Sequence, residues 1–343
     1  MTTIDSQGFF LKKYGKASEA FELRQFSLSA PEPDEVVIEV EAFGLNYADV
    51  MARKGMYREA PPLPCILGYE VVGTIIHAGA NARELEGTRV VAFTRFGGYA
   101  KHVTTWSSAV AAIGDMPVET ALSLSTQFVT AFYMTNYQSA VYEGNNVLIH
   151  AAAGGVGTAL IQFCKMKGAI VIAKVGDDAK KELVLKLGAD YVVNYNKEPY
   201  EAAVEKILAG RKLDISFNPA GGSTFKKDLS LLGAGGKLIL FGGSELSAGS
   251  AGILSQLNFL RKMGLLLPVA LMMGSKSIIG VNMLKVADQQ PQVLSFCLNE
   301  VVRMALTGVI HPQLGAVYQV SQLAEAHTLF ESGKTTGKLA VFW

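Results

Sequence analysis

The chain is short of cysteine, of histidine and of net charge, and each shortage removes a class of function. Its three cysteines, Cys65, Cys164 and Cys297, are odd in number and far apart, so no disulfide framework is expected and a reducing cytoplasm is the natural home. Three cysteines cannot build a four-cysteine zinc lobe, and five histidines without an H-x-x-x-H spacing offer no other metal cluster. A formal charge of +1 gives no electrostatic reason for nucleic acid or an acidic membrane to be the main partner, which leaves a small molecule. No signal-peptide pattern opens MTTIDSQGFFLKKYG, and no repeat, low-complexity segment or long charged linker follows. The most apolar run, Met263 to Met273, is about half the ~20 residues a membrane helix needs and contains Pro268, so no membrane span is expected. That run reads either as a buried or partner-covered helix, or as an apolar wall for a lipophilic substrate or a membrane-surface contact.

What is present is enough apolar residue, half of the 343, for one large or two medium domains with real cores. The first third consists of short β-rich runs split by Gly and Pro, Glu35–Glu41, Tyr69–Ile76 and Arg89–Phe93, which suit a compact antiparallel barrel. From Asn146 onward, apolar strands alternate with helical patterns, the sign of a parallel sheet flanked by helices. Strands are expected at Val147–His150, Ile170–Val175, Tyr191–Asn194, Leu213–Asn218, Lys237–Phe241 and Ser277–Val281, a doubly wound α/β domain of six parallel strands. The helix Gly155–Lys167 would pack Val156, Leu160, Ile161 and Cys164 on that sheet, which makes Cys164 core. The helix Pro291–Leu306 and the strand, helix and strand that follow return to complete the first domain. The expected division is 1–123 with 284–343, and 124–283, with a cleft between the two.

Residues His150 to Lys165, HAAAGGVGTALIQFCK, follow a strand and open a helix, as a dinucleotide-binding turn does, but Ala152 replaces the first glycine of G-x-G-x-x-G. Alanine serves there if its φ stays negative, while Gly154 and Gly157 keep the close backbone approach and the helix packing. The amides of Gly154, Gly155, Val156 and Gly157 would then face a pyrophosphate. The next strand ends at Val175, where an NAD site would place an acid on the ribose 2′-hydroxyl. Lys174 and Lys180 flank this place and could neutralise a 2′-phosphate. Asp177 and Asp178 argue the other way if they point inward. NADPH is the expected cofactor; the competing reading is a solvated loop, with glycines that only pack helix on strand.

These residues support a resemblance. GNNVLIHAAAGGVGTALIQFCK at 144–165 closely resembles the signature of the quinone oxidoreductase and zeta-crystallin family of medium-chain dehydrogenase/reductases. Further blocks of that family recur in order: GLNYADVMARKGMY at 44–57, LGYEVVGTI at 67–75, EGTRVVAF at 86–93, GGYAKHV at 97–103, TQFVTAFY at 126–133, LGADYVVNY at 187–195 and the terminal GKLAVFW. The stretch around 252–275 looks closest to the vesicle amine transport protein subgroup. The resemblance implies a GroES-like β-barrel catalytic domain beside a Rossmann domain. Zinc alcohol dehydrogenases have a Cys and a Gly-His-Glu segment where this chain has Asn46-Tyr-Ala-Asp49 and Gly68-Tyr69-Glu70. Tyrosine and asparagine are poor zinc ligands, so the expected site is metal-free.

Without a Lewis acid, a conjugated acceptor that spreads charge, a quinone or an α,β-unsaturated carbonyl, suits hydride transfer best. By resemblance, Asn46, Asp49 and Tyr57 would line the substrate side, with Asn46 also on the cofactor, and Thr130 near the nicotinamide amide. Tyr57 is the candidate donor to the acceptor oxygen; otherwise it is a wall residue, Asp49 a loop cap and Asn46 a loop anchor. At strand C-termini, Asn218, Gly221, Phe241, Gly242 and Val281 are candidate cofactor contacts, as is Tyr195, which could stack on adenine or reach the 2′-phosphate. Lys334 and Lys338 either approach that phosphate or lie solvated in the tail. The strand near 277–281 would be an open sheet edge that a second copy covers, so a homodimer is expected. The competing function is a cofactor-binding scaffold or membrane-associated protein that has lost turnover.

Overall fold

The computed structural model describes residues 3–247 and 253–343. The chain divides into two compact units, Met1–Val129 with Leu284–Trp343, and Thr130–Met283.

In the first unit the β-rich runs become β1 (Ile4–Leu11), β2 (Phe21–Leu28), β3 (Glu35–Leu45), β4 (Cys65–Ile66), β5 (Glu70–Ala78), β6 (Arg89–Phe93), β7 (His102–Trp106) and β8 (Val110–Ala112). The long strand β3 organises them, pairing antiparallel with β5 and β7. Its Val36, Ile38 and Val40 alternate into the core with Val71, Ile75 and Val90, as a half-buried strand requires. The second unit follows with β9 (Asn146–Ile149), β10 (Ile170–Val175), β11 (Tyr191–Asn194), β12 (Leu213–Asn218), β13 (Leu232–Leu240) and β14 (Ser277–Gly280). These are all parallel, in the order β11-β10-β9-β12-β13-β14, so the winding reverses at β9 and β14 is an outer edge. The chain then re-enters the first unit through the helix Pro291–Leu306, β15 (Leu314–Gln319), the helix Leu323–Glu331 and β16 (Lys338–Phe342), which pairs with β3.

Three strands of the parallel sheet span the residues that the sequence pattern assigns. β9 is shifted by one residue, β14 ends one residue early, and β13 starts at Leu232 instead of Lys237, meeting β12 through a register shift in which Gly235 takes a φ of +79°. The helix Gly155–Met166 lays Leu160, Ile161 and Cys164 on the sheet, all fully buried. The expectation of one short helix around Met263–Met273 is corrected. Two helices, Ile253–Met263 and Pro268–Gly274, are separated by a break that begins at Gly264, whose φ is +73°. Ser255–Gly274 together has the length and composition to cross a membrane, and it is not buried within the fold. The break leaves backbone groups that a hydrocarbon core could not satisfy, so only the composition resembles a span.

Candidate functional site

The glycine turn lies where the sheet reverses. Left-handed backbone falls on Ala151, φ +48°, and Ala152 stays outside that region, so the alanine at the first glycine position costs no strain. Ala152 N–H ties the turn to the end of β10 through Lys174 O, 3.1 Å away. Gly157 is indispensable for space: a Cβ there would stand 2.4 Å from Ala151 O. Gly154 is the N-cap, extended at φ −79° and ψ 171°, and no side chain caps the helix. The amides of Gly155, Val156 and Gly157 therefore open a 12-residue helix at its positive end, a cradle suited to a pyrophosphate.

Beyond it, β10 ends at the buried aliphatic Val175, and both aspartates after it are engaged locally. Asp177 caps the following turn through Ala179 N–H at 3.0 Å. Asp178 accepts from Lys197, from Asn194 Nδ2 at 2.6 Å and from Lys181 at 3.0 Å, which hold its carboxyl far below the usual carboxylate range. The phenol of Tyr195 lies over Gly176, where a Cβ would meet its oxygen at 2.5 Å. Partial burial pushes the Lys180 amine down, against the pull of Asp177.

Lys174 is turned inward. Its Nζ donates to His150 Nδ1 at 3.1 Å and lies over the rings of Tyr200 at 4.0 Å and Tyr195 at 4.8 Å, and burial lowers the amine to about 8. His150, kept neutral by burial, faces Asp228 through Nε2, and Tyr200, Ser216 and Asn218 also donate to that carboxylate. The side chain of Asn218 is saturated: it donates to Thr224 and Asp228 and accepts from the amides of Ala220 and Gly221. Lys174 and Asn218 thus shape the floor with their side chains and offer a ligand mainly backbone. Phe241 and Val281 extend the strand ends by hydrogen bonds to Asn218 O and Leu240 O, Gly242 packs on Pro219, and Thr130 is buried at the start of this unit.

In the first unit, Asn46 precedes the helix Tyr47–Arg53. Asp49 accepts from Asn46 N–H at 2.8 Å and from Gly68 N–H at 3.1 Å and is fully buried. Burial raises its carboxyl to about 7, against those two amides, Lys338 and the Tyr99 hydroxyl. Tyr99 in turn meets Nε2 of the buried, neutral His327 at 3.1 Å. The Asn46 amide is oriented at both ends, Nδ2 donating to Glu70 Oε1 at 2.9 Å and Oδ1 accepting from Lys338 Nζ at 3.2 Å. Glu70 and Lys338 form an ion pair with neither side chain exposed, completed by Ser125 Oγ at 3.1 Å. The pair lies over Gly44, where a Cβ would come within 2.3 Å of both side chains. Lys338 is therefore neither a phosphate contact nor a solvated tail residue. Tyr57 is half-buried and edge-on to Tyr69 at 6.3 Å, and burial pushes its phenol up to about 12. Among the described residues no group of three or more His, Cys, Asp or Glu could hold a metal ion.

Known proteins place this arrangement. Residues 155–299 match the zinc-binding dehydrogenase family and residues 32–115 the alcohol dehydrogenase GroES-like domain. The quinone oxidoreductase of Escherichia coli, solved with NADPH, superposes with a TM-score of 0.86 at 26% identity, over 98% of this chain and all of that one. Quinone oxidoreductase-like protein 2 of Mus musculus is 28% identical over 90% of this chain and 84% of its own length. The chain is similar to the quinone oxidoreductases over nearly its whole length. Its similarity extends to the synaptic vesicle membrane protein VAT-1 homolog of Rattus norvegicus, 27% identical over 90% of this chain and 77% of that protein. The fold of the family, a GroES-like domain and a parallel six-stranded Rossmann-like sheet, is the one described above. Sequence reasoning missed Glu70 and Lys338 as a buried pair. Its signal was Gly44 in AFGLN, a glycine in mid-strand where a close approach was the thing to suspect.

Proposed function

We propose that this oxidoreductase is a cytoplasmic, NADPH-dependent, metal-free reductase of quinones or α,β-unsaturated carbonyls. The observation that carries the reading is the uncapped helix at Gly155–Gly157 together with a strand end that offers Val175, Lys180 and Tyr195 and no free acid. NADPH supplies the hydride when bound. The amides of Gly155, Val156 and Gly157 bind its pyrophosphate, and Lys180 with the Tyr195 phenol receives the 2′-phosphate. Tyr57, which stays protonated throughout the neutral range, donates a hydrogen bond to the acceptor oxygen that gains charge. Asp49 and the Glu70–Lys338 pair hold the Tyr47–Arg53 helix and Asn46 in place. The metal-free reading rests on the donor set, because Asn46 and Glu70 are committed to Lys338 and to each other.

The exposed edge of β14 supports a homodimer in which two such edges pair. A second reading, a nucleotide-binding scaffold without turnover, is favoured by the similarity to a protein named for the synaptic vesicle membrane. The test is oxidation of NADPH, followed by absorbance, with an ortho-quinone and an enone, with and without chelator. Turnover that survives chelation supports the reductase. Tight NADPH binding with no turnover supports the scaffold, and activity abolished by chelation overturns the metal-free site.

A further inference from the structure

Tyr69 is 3% exposed, and its hydroxyl is buried without a hydrogen-bond partner. Leaving a buried hydroxyl without a good partner is unfavourable, so its presence calls for an explanation. The Tyr69 hydroxyl faces the phenol of Tyr57, rings edge-on at 6.3 Å, near enough for the two hydroxyls to interact but short of a well-formed hydrogen bond. Phe96 holds the Tyr69 ring from another side at 5.2 Å, and Thr94 N–H fixes its backbone carbonyl at 2.8 Å. The phenol is thus aimed by packing at one polar neighbour.

We propose that Tyr69 is a positioning residue that acts through Tyr57, its hydroxyl closing onto the Tyr57 oxygen as Tyr57 donates toward a substrate oxygen. This rests on the reading of Tyr57 as the donor. When hydride reaches the conjugated carbon, NADPH becomes NADP⁺ and the acceptor oxygen carries the negative charge. Tyr57 shares its proton with that oxygen, and its own oxygen becomes the better acceptor for the Tyr69 O–H. The interaction is strongest at the transition state, so it lowers the barrier without tightening substrate binding. The proton that finishes the reduced product comes from water.

Tyr69→Phe keeps the ring and deletes only the hydroxyl. The expected result is a kcat about 5- to 20-fold lower with KM unchanged within twofold, and a melting temperature equal to or above the parent's because an unpaired polar group is gone. In the double variant with Tyr57→Phe, kcat should fall no further than in Tyr57→Phe alone. An unchanged kcat in Tyr69→Phe, or losses that simply multiply in the double variant, would overturn the proposal. A second readout needs no turnover. With 3,5-difluorotyrosine at position 57, its ionisation followed by absorbance should move up by about half a pH unit or more when Tyr69 becomes Phe, since a donor to the phenolate is lost. An unmoved ionisation overturns the proposal whether or not the protein reduces quinones. Absence of turnover with a moved ionisation overturns only the reductase reading.

Discussion

Replacing Lys338 by methionine leaves Glu70 as a fully buried carboxylate with two hydrogen bonds, from Asn46 and Ser125, and no cation. Removing one partner of a buried pair costs about 3–5 kcal/mol, and the absence of any exposed surface on either side chain puts this pair at the upper end of that range. The loss is local to the first unit, and the two tryptophans, Trp106 and Trp343, both lie there. Tryptophan fluorescence during urea denaturation therefore reads this unit selectively. The expected shift of the transition corresponds to about 5 kcal/mol. Adding Glu70→Gln to Lys338→Met removes the stranded charge and should recover about half or more of the loss, because an uncompensated charge costs more than a missing pair. A single-variant loss below about 1 kcal/mol, or a double variant no more stable than Lys338→Met, would show that Glu70 is solvated or neutral and refute the buried pair.

Three further outcomes follow. Gly157→Ala puts a methyl 2.4 Å from Ala151 O, so it should weaken NADPH binding at least tenfold by calorimetry while leaving the unit folded by circular dichroism; unchanged affinity would contradict the cradle. Lys180→Ala should raise the NADPH dissociation constant by about tenfold and flatten its salt dependence, with NADH barely affected; equal losses for both nucleotides would contradict a 2′-phosphate role. Asp49 has a folded-state carboxyl raised to about 7 from 3.8, so the stability its protonated form contributes is fully present below pH 3.8 and is lost as pH rises through 7. On the order of 2–4 kcal/mol should drain from the first unit over that window, and Asp49→Asn should be offset but flat there; an identical slope in both proteins would contradict the assignment.

The fold was legible because its signals are periodic. Five-residue apolar strands between helical patterns announced the parallel sheet, and the turn at Ala151–Gly157 stood out by its place between a strand and a helix, even with Ala152 in a glycine position. What stayed hidden depends on side chains distant in sequence. Lys338 reads as a tail lysine until β16 is laid on β3, which brings it beneath Asn46 and against Glu70, 268 positions earlier in the chain (338 − 70). Tyr69 reads as one more barrel aromatic until its hydroxyl proves to have no partner. Asp178 could have excluded a 2′-phosphate on sequence grounds, and only its capture by Lys181 and Lys197 removes the objection. In the region 255–274 the apolar content left burial, a partner-covered helix and a substrate or membrane contact open, and the two helices are not buried within this chain.

The central claim is that the helix at Gly155 holds a pyrophosphate while the strand end accepts a 2′-phosphate. Isothermal calorimetry of the chelator-treated protein with NADPH and with NADH tests it most directly. NADPH should bind 1:1 and at least tenfold tighter than NADH, a difference of about 1.4 kcal/mol or more. Heat from neither nucleotide, or NADH bound as tightly as NADPH, would contradict it.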